Sequence, residues 1–200
     1  MGSYRIPASE GKSEYIEKRS VFLGRVKHVE SEEEARAFIA QIKKEQRDAR
    51  HNCWCYTLRD GPERYSDDGE PQGTAGIPML ELFRKAEVTN AVCVVTRYFG
   101  GILLGTGGLF RAYTRAAKDA LDAAGIEEVV PKAVFSLSCP YALTDRIKTE
   151  LPSFEAAILN TEYGEKVVMT VSLPERNKES FPDRIFDVTN GIVRPEPADR

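Results

Sequence analysis

The chain has 200 residues, 42% hydrophobic, 9% aromatic and 30% charged, which is enough apolar content for a packed core and too much for wholesale disorder. A formal charge of −3 does not mark a nucleic-acid binder, a membrane adsorber or a reader of acidic substrates. No apolar run approaches the roughly 18 residues of a spanning helix. Residues 1–10 lack the basic-then-apolar layout of a secretion signal, so a cytoplasmic protein with no membrane contact is expected.

In chain order, Lys12 to Arg19 and Val21 to Val29 read as strands with a polar face. Ser31-Glu-Glu-Glu34 is a capping box, and Ala35, Phe38, Ile39 and Ile42 then repeat at helical spacing, predicting a helix to about Arg47. His51 to Leu58 reads as a strand and Asp60-Gly61-Pro62 as the turn after it. Thr74 to Ala86 is helical, with Pro78 tolerated in a first turn that has no intrahelical donors to lose. Ala91 to Tyr98 is nearly continuous in apolar residues, as a central strand should be. Gly108 to Ala124 is a second amphipathic helix, and Gly125 to Pro131 reads as a linker.

Charge divides at the same place. Residues 1–132 carry 20 Lys+Arg and 20 Asp+Glu, while the remaining 8 and 11 give the carboxy-terminal part its −3. Two domains are expected, 1–132 and 133–200. In the second, Val134 to Cys139 is a strand, and Ala142 to Leu151 a helix with Ala142, Ile147 and Leu151 inward. Glu155 to Tyr163 and Lys166 to Leu173 form a hairpin; a helix from Pro174 to Val188 and a strand near Ile192 follow. That βαββαβ order is ferredoxin-like, and the fold class is α+β.

Cys53, Cys55, Cys93 and Cys139 all lie in predicted strands without a C-x-x-C pair, as buried thiols of a reducing compartment do. His51, Cys53 and Cys55 share one strand face, but a zinc site needs a fourth ligand from His28, Cys93 or Cys139. Neither a metal, a cofactor nor a catalytic residue is assigned.

Two glycine-rich loops hold most of the functional signal. The first, Tyr65 to Gly76, carries Asp67, Asp68 and Glu70 ahead of Gly73 and Thr74. Its carboxylates suit a divalent cation, a division of acid and base work, or pairing with Arg97, Arg111 or Arg115. The second, Arg97 to Gly108, contains Gly100, Gly101, Gly105, Gly107 and Gly108 between the central strand and a helix. Such a loop is either a tight turn under a closely packed helix or an anion-binding nest at a helix amino terminus. It matches neither G-x-G-x-x-G nor a P-loop. Any basic surface is local, built from Arg97, Arg111, Arg115 and Lys118.

Ser66-Asp-Asp-Gly-Glu-Pro-Gln-Gly-Thr-Ala-Gly-Ile-Pro78 and Arg97-Tyr-Phe-Gly-Gly-Ile-Leu-Leu-Gly-Thr-Gly-Gly-Leu-Phe-Arg-Ala-Tyr113 together resemble the signature of the IMPACT family, in its bacterial form with a ferredoxin-like carboxy-terminal domain. The resemblance implies that residues 1–132 have the two-layer fold of the second domain of ribosomal small-subunit protein five. It implies that residues 134–197 are like the carboxy-terminal domain of elongation factor G. Eukaryotic relatives regulate translation under stress by competing for the activator of an initiation-factor kinase. That system is absent from bacteria, so only the broad class carries over.

The expectation is therefore a non-enzymatic regulator of translation that binds ribosome, RNA or a translation factor through the two facing loops. The alternative is a small-molecule phosphate or nucleotide enzyme on the glycine-rich loop, with Asp67 or Asp68 as base or metal ligand. Base stacking on the second domain is disfavoured, because Lys166, Val168, Thr170 and Ser172, with Val134, Ser136 and Ser138, offer no aromatic.

Overall fold

The structure, a computed structural model, describes residues 2–198. The chain divides into two compact units, Tyr4–Val129 and, of the described residues, 130–198 together with 2–3. Each has its own core.

The first unit runs β1 (Tyr4–Pro7), β2 (Gly11–Glu17), β3 (Ser20–His28), α1 (Glu32–Glu45), β4 (His51–Thr57), β5 (Arg64–Ser66), α2 (Gly76–Ala86), β6 (Ala91–Tyr98), α3 (Gly105–Ala124) and β7 (Ile126–Val129). An antiparallel sheet of order β2-β3-β6-β4-β5 forms its middle. The apolar run of β6 holds that central place because both its faces are covered. Cys93 and Val95 enter a core with α2 and α3, while Val92 and Val94 meet Phe38 and Ile42 of α1 on the opposite face. Helix α3 lies against β2 and β3 at very short range. A Cβ on Gly11 would stand 2.0 Å from the Ala120 carbonyl oxygen, and one on Gly24 2.5 Å from that of Ala116. Between them the Ser13 hydroxyl donates to the Ala116 carbonyl at 2.7 Å.

At the start of α1, Ser31 Oγ accepts from the Glu34 amide at 3.2 Å, as a capping residue should. The Glu34 carboxylate reaches one residue further back than the usual box, accepting from the Glu30 amide at 2.9 Å. Helices α2 and α3 begin at Gly76 and Gly105, two residues later and three earlier than their patterns predict. The stretch read as a linker is mostly strand: β7 pairs antiparallel with β1, Tyr4 opposite Val129 and Pro7 opposite Ile126. Four-residue strands in isolation leave too short a pattern to read.

The second unit runs β8 (Lys132–Cys139), α4 (Thr144–Glu150), β9 (Ala157–Tyr163), β10 (Val167–Pro174), α5 (Ser180–Val188) and β11 (Glu196–Pro197). Its sheet order, β11-β8-β10-β9, is the 4-1-3-2 arrangement of a βαββαβ fold. Phe135, Leu137, Met169 and Val171 pack with Ile147, Phe181 and Ile185 in one core. Three details differ from expectation. A 3₁₀ turn at Tyr141–Leu143 after Pro140 shifts the helical phase, so Ala142 is exposed and Leu143 packs instead. The stretch Pro174 to Val188 breaks into a 3₁₀ turn, Glu175–Asn177, and α5. The last strand lies past Ile192, because Asn190 and Gly191, both at positive φ, turn the chain there and leave Ile192 exposed. No helix among the described residues is long and apolar enough to cross a membrane.

Candidate functional site

The acidic loop is organised by its own carboxylates. Asp67 Oδ1 accepts from the backbone amides of Ala75 (3.0 Å) and Gly76 (2.8 Å), and Oδ2 from Gly73 (2.8 Å). Ala75 caps α2 without a side-chain acceptor, so Asp67 serves the opening amides from upstream. Asp68, at φ 43°, and Gly69, at φ 87°, turn the chain back on β4. Asp68 then takes Lys43 Nζ at 2.6 Å on one oxygen and the Asn52 amide at 2.8 Å on the other. The Thr74 hydroxyl donates to the Pro71 carbonyl at 2.6 Å. His51 Nδ1 is 2.9 Å from the Asp68 carbonyl oxygen, which makes Nδ1 the protonated nitrogen.

Glu70 is different. It is buried, and so is Arg97 at the end of the central strand; Arg97 Nη1 lies 2.8 and 3.1 Å from the two Glu70 oxygens. The Tyr113 hydroxyl of α3 donates to the same carboxylate at 2.7 Å. The Arg97 guanidinium carbon stands 5.6 Å from the Phe22 ring centroid and 5.5 Å from that of Phe99. Its Nε is buried and has no acceptor among the described residues.

In the glycine-rich loop, Gly100 is demanded by packing: its Cβ would fall 2.1 Å from the backbone of Arg19. Gly101 and Gly105 have positive φ, where only glycine is unstrained. Gly108 sits against Leu104, whose Cβ would be 2.9 Å away. Gly107 alone of the five has neither reason, since its Cβ would meet only Arg111 Nη1 at 3.6 Å.

The two loops meet around a cavity of about 400 Å³. Glu70 and Pro71 line it from the first; Arg97, Phe99, Leu103, Leu104, Gly105 and Thr106 from the second; Arg50, His51 and Leu109 complete it. Leu103 is 83% exposed and Phe99 48%, so the wall continues outward as an apolar lip. Of the residues singled out in the sequence, Glu70, Arg97 and Gly105 reach the cavity. Asp67, Asp68, Gly73 and Thr74 shape the loop beneath it, and Gly100, Gly101, Gly107 and Gly108 shape the turn into α3. Arg111, with α3 starting at Gly105, falls in its second turn rather than its first. Arg115 is exposed on α3 and pairs with Asp119 at 2.8 Å, away from the cavity lining.

Sequence reasoning missed Arg50, Phe99, Leu103 and Tyr113. The one signal was the Ile-Leu-Leu run, an unusual choice inside a glycine-rich turn. The carboxylate pairing left open in the sequence resolves as Glu70 with Arg97, while Asp68 takes a lysine from α1. No cluster of three or more metal-ligating side chains occurs among the described residues. The Cys53 thiol donates to the Asp67 carbonyl at 2.9 Å, and burial pushes its pKa well up, so it stays protonated at neutral pH. Burial also pushes the Tyr113 phenol up.

Residues 18–121 match the family profile described as the Impact N-terminal domain, and 137–191 a domain of unknown function, DUF1949. The chain is 36% identical to the IMPACT family member YvyE of Bacillus subtilis, over 94% of this chain and 88% of that protein. It is 35% identical to the IMPACT family member YigZ of Escherichia coli, over 97% of each. A protein IMPACT homolog of Dictyostelium discoideum is 37% identical over 53% of this chain and 32% of its own length. A crystal structure of a hypothetical protein, 33% identical, superposes with a TM-score of 0.65 and covers 100% of this chain and 99% of that one.

Proposed function

The chain belongs to the IMPACT family, and we propose that within it this protein is a non-enzymatic regulator of translation that attaches to ribosomal RNA through the cavity between the two loops. One observation carries the reading: the site's reactive groups are already engaged and its recognition groups are not. Asp67, Asp68 and Glu70 are each held by donors of the protein itself, and the Cys53 thiol is locked protonated. Arg50 in the cavity wall and Arg111, exposed on α3 outside that wall, by contrast make no ion pair among the described residues, and the first turn of α3 has no side-chain cap. Charge for a phosphate and an apolar wall for a base are what an RNA strand needs.

Cosedimentation with ribosomes tests this. The full chain is expected in the ribosomal fraction at low salt and less at moderate salt. Changing Arg111 or Arg50 to Ala should weaken binding and lower the salt slope by about 1 for each phosphate no longer neutralised. Absence from the ribosomal fraction at both salts defeats the proposal. Arg97 is the wrong residue for this test, because removing it strands a buried Glu70.

A further inference from the structure

We propose that the amino terminus of α3, with Arg97 and Arg50 beside it, is a phosphate subsite, and that the cavity it borders holds a single nucleotide with its base against Phe99 and Leu103. This deepens the reading above by naming what the cavity takes, and it rests on that reading's choice of site.

Three features point to an anion. The 20-residue helix α3 begins at the cavity wall with Gly105 and Thr106, has no capping side chain and has no acid in its first turn. Its opening amides and dipole therefore face the cavity without an acid of their own, and the one carboxylate in the wall, Glu70, is taken up by Arg97 and Tyr113. Arg97, only 6% exposed, lines the same cavity, and its buried Nε lacks an acceptor among the described residues. Gly107 is unexplained by the fold: φ is not positive, and a Cβ would make one ordinary contact. The absence of a side chain there leaves the first-turn amides open to close approach by a ligand.

The rest of the cavity defines the body attached to that anion. Its volume, about 400 Å³, lies at the lower end of small-ligand sites, which run from about 300 to 1,000 Å³. One base and sugar suit that space. Phe99 offers a half-exposed ring for stacking, and Leu103 projects beside it. Arg50, which lines the cavity and makes no ion pair among the described residues, adds positive charge beside the helix amides, as a phosphate requires.

The test uses the full chain and five probes in thermal-shift and titration experiments: inorganic phosphate, uridine, uridine and adenosine 5′-monophosphates, and a short single-stranded oligouridylate. Both monophosphates should raise the melting temperature, and uridine should bind at least tenfold more weakly than its monophosphate. Tighter binding of the oligouridylate identifies an RNA strand as the phosphate's source; equal or weaker binding identifies a free nucleotide. Gly107→Ala should leave the unliganded melting temperature unchanged or higher while weakening nucleotide binding about tenfold. Leu103→Ser, at an exposed position, should weaken the nucleotides and spare inorganic phosphate. The inference is overturned if Gly107→Ala and Leu103→Ser both bind nucleotide as the parent does, or if uridine binds as well as its monophosphate. It is equally overturned if an apolar peptide with a free carboxyl terminus outcompetes both nucleotides. Ribosome attachment persisting in a protein that binds no nucleotide defeats this subsite alone. Nucleotide binding without ribosome attachment defeats the proposed function and leaves the subsite standing.

Discussion

Arg97 and Glu70 show that a charged residue of a motif can hold the fold together while it also borders a cavity. Both are almost wholly enclosed, and the carboxylate is shared with a tyrosine hydroxyl, so the pair is part of what holds the loop to the sheet. Removing one member of a buried pair leaves the other charged and unsolvated, at a cost of about 3–5 kcal/mol. Glu70→Ala should therefore lower unfolding free energy by about that amount in denaturant melts, far more than Arg115→Ala, whose exposed pair is worth under about 1 kcal/mol. Equal losses from the two would contradict the burial argument. At this scale the sequence was partly legible. It placed the carboxylates and arginines in facing loops, but which acid meets which base depends on side-chain depth, and no spacing rule encodes that.

Long periodic elements were the easiest to read. The eight residues of β6 announced a strand covered on both faces, and α1 and α3 showed their inward stripes at the right positions. The short ones were not: β1, β5 and β7 have four residues or fewer and exist only because partners pair with them. A closely packed α3 was one reading of the glycine-rich loop, but the residues that admit it were silent, since Gly11 and Gly24 look like ordinary weak points in a strand. In the structure they are where the helix backbone passes. Gly24→Ala would place a methyl 2.5 Å from the Ala116 carbonyl oxygen, and the forced separation should cost about 1–3 kcal/mol. A thermal melt checks it, and an unchanged midpoint would mean the helix can lift without penalty.

Across the whole molecule, the near-neutral charge concealed a neutral unit followed by an acidic one, and the two have separate hydrophobic cores. Their stabilities should respond separately to core damage. Phe181 is fully buried, 5.5 Å from the Phe135 ring and 5.3 Å from that of Phe154. Phe181→Ala should destabilise the second unit by about 3–5 kcal/mol and leave hydrogen-exchange protection of β6 unchanged. Loss of protection in β6 as well would show that the units unfold as one.

The pairing of β1 with β7 carries a different kind of consequence. It ties the first strand of the larger unit to its last, with Tyr4 opposite Val129, so the chain enters and leaves at one point. A segment closed in this way can be spliced into or out of other polypeptides without reaching across its own body.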